Sequence, residues 1–137
     1  MSESSKQFQT PECIVTFGYK KTGYGGFMDT ILISLDGNIL PSRLLTSKSG
    51  NHGERQYKSN INSTVIMYDV YKSNLGNTYI KVKIINIDNK CNISTVKEWT
   101  LHSGKIIVTP IQNLPSEIRE ILVKLQNELP LFDYIYW

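Results

Sequence analysis

The sequence is poor in cysteine and has no long apolar stretch, and both absences limit what the protein can be. Cys13 and Cys91 are its only cysteines, and they match no metal-ligand spacing. No apolar run approaches the roughly 20 residues of a membrane-spanning helix. The amino-terminal stretch MSESSKQFQTPE lacks the apolar segment of a secretory signal. We therefore expect an intracellular, cytoplasmic location and two free thiols.

Residue patterns that mark catalytic centres are equally scarce. His52 and His102 are the only histidines, and each falls in a loop or a turn. No serine lies in Gly-x-Ser-x-Gly, and the sequence GYGG at residues 23–26 lacks the Gly-Lys-Ser/Thr and the helix of a phosphate-binding loop. We predict a non-enzymatic protein with no catalytic residue, no metal and no cofactor. A small hydrolase or nuclease remains open only if His52 or His102 lies beside an acid in a pocket.

Length and composition are typical of one globular domain. The chain has 137 residues, of which 40% are hydrophobic and 20% are charged. A chain of this size can bury a core without disulfides or metals. We interpret residues 1–12 as a disordered leader and residues 13–137 as a single β-rich domain.

Alternating apolar and polar residues, separated by turn signals, predict a series of antiparallel strands. The sequence LDGN is a strong hairpin signal, because Asp-Gly tolerates the positive φ that a tight turn needs. The polar stretch Thr46–Ser63 contains almost nothing that could be buried, so we expect a long mobile loop there. The predicted strands cover residues 14–19, 27–35, 39–45, 64–71, 79–87, 93–101 and 105–111.

One segment has helical periodicity. In LPSEIREILVKLQNEL the isoleucines and leucines recur at helical spacing. Pro115 suits the first turn of a helix and Pro130 ends it, which predicts a helix over about residues 115–129. The predicted fold is mainly β (α+β). It is an antiparallel sheet of about seven strands, strongly curved or barrel-like, with one C-terminal helix packed on it.

Two predicted strands carry lysines next to aromatic residues. In YIKVKII, Tyr79, Lys81 and Lys83 alternate with apolar residues, and Lys97 and Trp99 share one side of the next strand. Cations that meet phosphates and flat rings that meet bases are what single-stranded nucleic acid requires. The net charge of +3 permits such contacts. A plain solvated sheet face, with Trp99 packed under the helix, is the alternative.

The second half of the chain resembles the PC4-like and Whirly families, which bind single-stranded nucleic acid. The likeness rests on TYIKVKIINIDNK and on the Gly-Lys turn of SGKIIVTPIQNLPSEIREILVKLQNEL, which leads into a strand and a helix. The resemblance implies a homo-oligomer that binds single-stranded DNA or RNA through its sheet. The residues at the matching positions are Tyr79, Lys81, Lys83, Lys97 and Trp99.

The first hairpin supports a different function. GGF, followed by an alternating strand and Asp-Gly, is similar to the start of emfourin, an inhibitor of metalloproteases. This resemblance implies a protein-binding inhibitor or adaptor. Exposed aromatics on a glycine-rich loop suit a protein interface, and the contacting segments would be residues 20–27 and the loop 46–63. The candidate contact residues are Lys20, Lys21, Tyr24, Phe27 and Arg55.

Overall fold

A computed structural model describes residues 11–21, 25–48 and 50–132 of the chain. These residues form one antiparallel sheet, a short 3-10 helix at Ile111–Asn113 and one α-helix, α1, at Ser116–Lys124. The prediction of an antiparallel sheet with one helix is confirmed. The strands are β1 (Glu12–Lys21), β2 (Phe27–Ser34), β3 (Ser42–Thr46), β4 (His52–Asn60), β5 (Ser63–Lys72), β6 (Thr78–Ile87), β7 (Ile93–Gly104) and β8 (Ile106–Ile107).

The sheet is open. Its strand order is β3-β4-β1-β2-β5-β6-β7-β8, so it has eight strands where about seven were predicted. Among the described residues β3 and β8 are its two edges and do not pair with each other. The sheet is therefore not a closed barrel.

The prediction of a mobile loop over residues 46–63 is wrong. His52–Asn60 forms β4, which pairs with β1 through nine residue pairs and with β3 on its other side. Of its side chains only Tyr57 and Ser59 are buried, so β4 has almost no apolar pattern. Main-chain pairing on both sides, which needs no apolar side chains, holds this strand in the sheet.

The main core lies between the sheet and α1, on what we call the helix side. Ile118 and Leu122 of α1 pack there against alternate residues of the central strands. Tyr68 donates a hydrogen bond from its hydroxyl to the Pro130 carbonyl oxygen at 2.8 Å, which fixes the chain that follows α1. The strand residues of this core are Ile31, Ile33, Ile66, Tyr68, Val70, Ile80, Val82 and Leu101.

A second core lies on the opposite side of the central strands, which we call the far side. β1 pairs with β2 only at Lys20–Met28 and Lys21–Phe27 and follows β4 for the rest of its length. Val15 and Tyr57, from β1 and β4, therefore pack over the far side of β2, β5 and β6. Their buried partners are Leu32, Val65, Met67, Ile85 and Ile87. Val15 and Tyr57 thus cover the far side at one end of the central strands and leave it open at the other end.

The segments that flank the sheet differ in length from their predictions. The strand predicted at 105–111 shortens to Ile106–Ile107, and a 3-10 helix takes up Ile111–Asn113. α1 ends at Lys124, although Leu125 and Leu129 beyond it remain buried. Residues 1–10 of the predicted leader and residues 133–137 lie outside the described part of the chain.

Candidate nucleic-acid interface

A cleft of about 330 Å³ occupies the open end of the far side. It lies over β5 and β6, where Tyr71 is directly opposite Tyr79 and Asp69 is directly opposite Lys81. Met28 of β2 closes one flank, because it is aligned with Tyr71 across the β2–β5 pair. The residues that line this cleft, which we call the Tyr71–Tyr79 cleft, are Met28, Asp69, Val70, Tyr71, Tyr79, Lys81 and Lys83.

Two exposed tyrosine rings form one wall of the cleft. The ring centroids of Tyr71 and Tyr79 are 5.8 Å apart, with the rings tilted by 42°. Tyr71 is 41% exposed and Tyr79 is 40% exposed, so both rings can contact a ligand. Tyr71 was not among the predicted site residues. The hairpin turn SNLGN between β5 and β6 was the available signal, because pairing Lys72 with Thr78 across it places Tyr71 opposite Tyr79.

The two lysines of the cleft have acidic neighbours. The Lys81 ammonium lies 3.2 Å from Glu98 Oε1, and both side chains are well exposed. Lys83 is more enclosed, and its ammonium lies 3.9 Å from Asp69 Oδ2. The Thr30 hydroxyl donates to the other Asp69 oxygen at 2.8 Å, which fixes that carboxylate. Exposed ion pairs are worth only about 0.2–1 kcal/mol, so an anionic ligand can displace Glu98 from Lys81.

Lys97 and Trp99 do not belong to this surface, which corrects the predicted set of five residues. Directly paired residues point to the same side of a sheet, and Trp99 is paired with Val82 while Lys97 is paired with Ile84. Both therefore lie on the helix side, where Trp99 packs against the main core. The Lys97 ammonium lies 5.2 Å from the centroid of the Trp99 ring. The part of the alternative that packs Trp99 against the core is thus confirmed.

The end of the first hairpin borders the cleft. Lys20 is paired with Met28 and Lys21 with Phe27. Phe27 is half-buried, and its ring meets that of Tyr19 edge-on at 6.3 Å. A smaller cavity of about 120 Å³ shares Tyr71 with the cleft. Its lining residues are Lys20, Gly26, Phe27, Tyr71, Lys72, Ser73 and Asn74. Tyr24 lies outside the described residues.

Arg55 is an internal connection and not the free loop residue that was predicted. Its Nε donates to Asp29 Oδ1 at 2.8 Å and its Nη2 to Asp29 Oδ2 at 2.7 Å. Its Nη1 donates to the Ser42 hydroxyl at 3.1 Å, and the guanidinium lies 5.9 Å from the Tyr19 ring centroid. The hydrogen bonds to Asp29 raise the pKa of Arg55 above its usual value. Arg55 thus ties β4 to β2 and β3.

The histidines do not assemble a catalytic group at the cleft. His102 is buried, with Nδ1 3.0 Å from the Thr78 carbonyl oxygen, and His52 lies exposed at the start of β4. In the described ranges, no three His, Cys, Asp or Glu side chains cluster closely enough to hold a metal ion. Nor does that part of the chain contain a helix long and apolar enough to cross a membrane.

Comparison with known proteins finds no matching family model, no similar curated protein and no similar solved structure. The resemblances to PC4-like and Whirly domains and to emfourin therefore stay predictions.

Proposed function

We propose that this protein binds single-stranded nucleic acid in the Tyr71–Tyr79 cleft. The observation that carries the proposal is the exposed pair of tyrosine rings beside Lys81 and Lys83 on one side of the sheet. Base stacking on an aromatic ring contributes about 1–3 kcal/mol per base, and it works with any base. The rings would bind bases and the lysines would bind phosphates.

The size of the cleft suits a short segment of a strand. Ligand sites usually have volumes of about 300–1,000 Å³, and the cleft is at the lower end of this range with about 330 Å³. The smaller cavity beside Tyr71 extends the surface toward Lys20 and Lys72. A bound strand would therefore run from the Lys81–Lys83 end of the cleft to the end of the first hairpin.

The acidic neighbours predict moderate affinity and a strong dependence on salt. Phosphates must compete with Glu98 for Lys81 and with Asp69 for Lys83. The competition costs little at Lys81, whose ion pair is exposed, and more at Lys83, whose partner Asp69 is fixed by Thr30. We expect Lys81 to contribute more to binding than Lys83.

Fluorescence anisotropy with a labelled single-stranded oligonucleotide at low salt tests the proposal. Replacing Lys81 and Lys83 together by alanine is expected to lower the slope of log K against log salt by about 1.4, because each phosphate contact contributes about 0.7 for single strands. Tyr79→Ala should weaken binding by about 5- to 150-fold, whereas Tyr79→Phe, which keeps the ring, should bind almost normally.

Lys90→Ala is the matched control, because Lys90 is an exposed lysine in the turn at the opposite end of β6. It should bind like the unaltered protein. If the protein binds no oligonucleotide at low salt, or if Lys90→Ala weakens binding as much as the paired lysine variant, the cleft is not the binding site.

We also propose that the protein is a homo-oligomer, as the PC4-like and Whirly resemblance implies. The stretch Ile93–Glu98 of β7 supports this, because all its side chains are exposed. Within the described residues β7 pairs with β8 only at His102 and Ser103, so the outer edge of this stretch has no strand partner. Light scattering coupled to size-exclusion chromatography should give a mass above that of one chain, and a monomer at high concentration would exclude the proposal.

A further inference from the structure

An acidic side chain, that of Asp69, lines the Tyr71–Tyr79 cleft together with its tyrosines and lysines. Asp69 precedes Tyr71 by two residues on β5, so both side chains point to the same side of the sheet, about 6.8 Å apart along the strand. Lys81 is directly opposite Asp69 on β6. The Asp69 side chain is 34% exposed, so its carboxylate can contact the same ligand as the two rings.

The Asp69 carboxylate is oriented but keeps room for further hydrogen bonds. The hydroxyl of Thr30, a buried residue, donates to Oδ1 at 2.8 Å. The Lys83 ammonium lies 3.9 Å from Oδ2, which is longer than a hydrogen bond, so it leaves the lone pairs of Oδ2 open. Each carboxylate oxygen has two lone pairs. Asp69 can therefore accept one more hydrogen bond at Oδ1 and others at Oδ2.

A carboxylate in a site for nucleic acid needs a reason, because it repels phosphates. Asp69 must weaken the binding of a strand unless the strand donates hydrogen bonds to it. An ionised carboxylate can only accept hydrogen bonds. In single-stranded DNA the bases supply the N–H donors, on edges that are open to a protein. Asp69 thus suits a base with two neighbouring N–H groups.

We propose that Asp69 makes the cleft selective for guanine, an inference that rests on the proposed binding of single-stranded nucleic acid. The Watson–Crick edge of guanine presents N1–H and an N2 amino group side by side, which matches the two oxygens of a carboxylate. Adenine and cytosine present one amino group beside a ring nitrogen that accepts. Thymine and uracil place a carbonyl oxygen on each side of their N–H, and these oxygens would face the carboxylate.

The other groups of the cleft do not favour a particular base. Stacking on Tyr71 or Tyr79 works with every base, and Lys81 and Lys83 would bind phosphates, which are the same at every position. A good pair of parallel hydrogen bonds to one base discriminates against the wrong base by about 5- to 150-fold. Asp69 is therefore expected to supply most of any sequence preference at this cleft.

Fluorescence anisotropy at low salt, with short labelled DNA strands of thymidine, tests this selectivity. The central position carries guanine, inosine or thymine. The strand with guanine should bind about 5- to 150-fold more tightly than the strand of thymidine alone. Inosine lacks the N2 amino group but keeps N1–H, so its strand should lose part of this advantage. The comparison needs no protein variant.

Asp69→Asn assigns the preference to the carboxylate. The asparagine oxygen can still accept from Thr30, but its amino group takes the place of one acceptor. The variant should bind the thymidine strand at least as tightly as the unaltered protein does and should lose the preference for guanine. Glu98→Gln is the matched control, because it removes a carboxylate that lies 3.2 Å from the Lys81 ammonium. It should change the affinity for all three strands by the same factor and keep the preference.

The outcomes separate this inference from the proposed function. If the three strands bind equally well, or if Asp69→Asn keeps the preference for guanine, the selectivity of Asp69 is overturned while binding in the cleft stands. If Asp69→Asn shifts all three affinities by one factor, as Glu98→Gln should, Asp69 acts only through its charge and the inference is equally overturned. If no strand binds at low salt, both the inference and the proposed function fail.

Discussion

Replacing Arg55 by alanine is expected to destabilise the protein by about 3 kcal/mol, because it leaves the Asp29 carboxylate buried without its cation. The Asp29 side chain is only 5% exposed, whereas the Arg55 side chain is 22% exposed. Removing one partner of a buried ion pair costs about 3–5 kcal/mol, and the partial exposure of Arg55 places this case at the lower end. The Thr30 N–H, which donates to Asp29 Oδ1 at 2.8 Å, compensates only part of the charge.

Urea denaturation followed by circular dichroism measures the change in the free energy of unfolding. The double-mutant cycle of Arg55→Ala and Asp29→Ala is the sharper form of the experiment. The double variant should be about 1–3 kcal/mol more stable than the sum of the two single effects predicts, because it leaves no buried charge without a partner. Arg55→Lys should recover only part of the loss, because an ammonium cannot make the two parallel hydrogen bonds to Asp29.

Arg43→Ala is the matched control for this cycle. Arg43 lies on the edge strand β3 and is exposed, so its loss should change stability by no more than about 0.5 kcal/mol. The reasoning is refuted if Arg55→Ala has as small an effect as Arg43→Ala, or if the two single effects simply add.

Three further predictions concern the strands, the helix and the buried tyrosine. Gly53→Ala should destabilise the protein by about 1–3 kcal/mol, because a Cβ would collide with the Leu45 carbonyl across the β3–β4 pair. Gly18→Ala is the control, because its Cβ would make only an ordinary contact with Met28. It should be nearly neutral in the same urea assay. Leu122→Ala, in the main core, should lower the free energy of unfolding by about 2–5 kcal/mol. Val123→Ala, on the exposed face of α1, should lower it by less than about 0.5 kcal/mol. Losses of similar size in the two variants would contradict the observed packing. Burial raises the pKa of Tyr57 to about 12. An unfolded tyrosine ionises near pH 10, so the contribution of Tyr57 to stability is complete below about pH 10 and is lost as the pH rises toward its folded pKa. The stability difference between the protein and Tyr57→Phe, measured in urea from about pH 8 upward, should therefore shrink above about pH 10, and a constant difference would contradict this.

The strands that could be predicted are those whose side chains alternate between a core and a more exposed side. β6 shows why, because Ile80 and Val82 face the helix side while Lys81 and Lys83 face the cleft, as their spacing indicates. β4 could not be predicted in this way. Its place depends on main-chain pairing with two distant strands, and a sequence of polar residues carries no sign of that pairing.

The part of the candidate site that lies on one strand could be predicted, but the part that depends on the register between two strands could not. Alternation correctly grouped Tyr79, Lys81 and Lys83, which belong to one strand. It could not decide on which side of the sheet Lys97 and Trp99 lie, because that depends on the register between β6 and β7. Two irregularities in this pairing, between Ile80 and Lys81 and between Ile84 and Ile85, make the register unpredictable from spacing alone.

The sequence by itself determined the local structure of this protein: most of the described strands, the α-helix α1, the tight turns and the alternating side chains of β6. These depend on residues that are close together in the chain, so their pattern is visible in the chain. Only the tertiary structure decided that Arg55 reaches Asp29 and that the end of the far side beside Tyr71 and Tyr79 stays open as a cleft. These contacts depend on how β1 leaves β2 and packs with β4 over the far side, and that path is set by the combined packing of both cores.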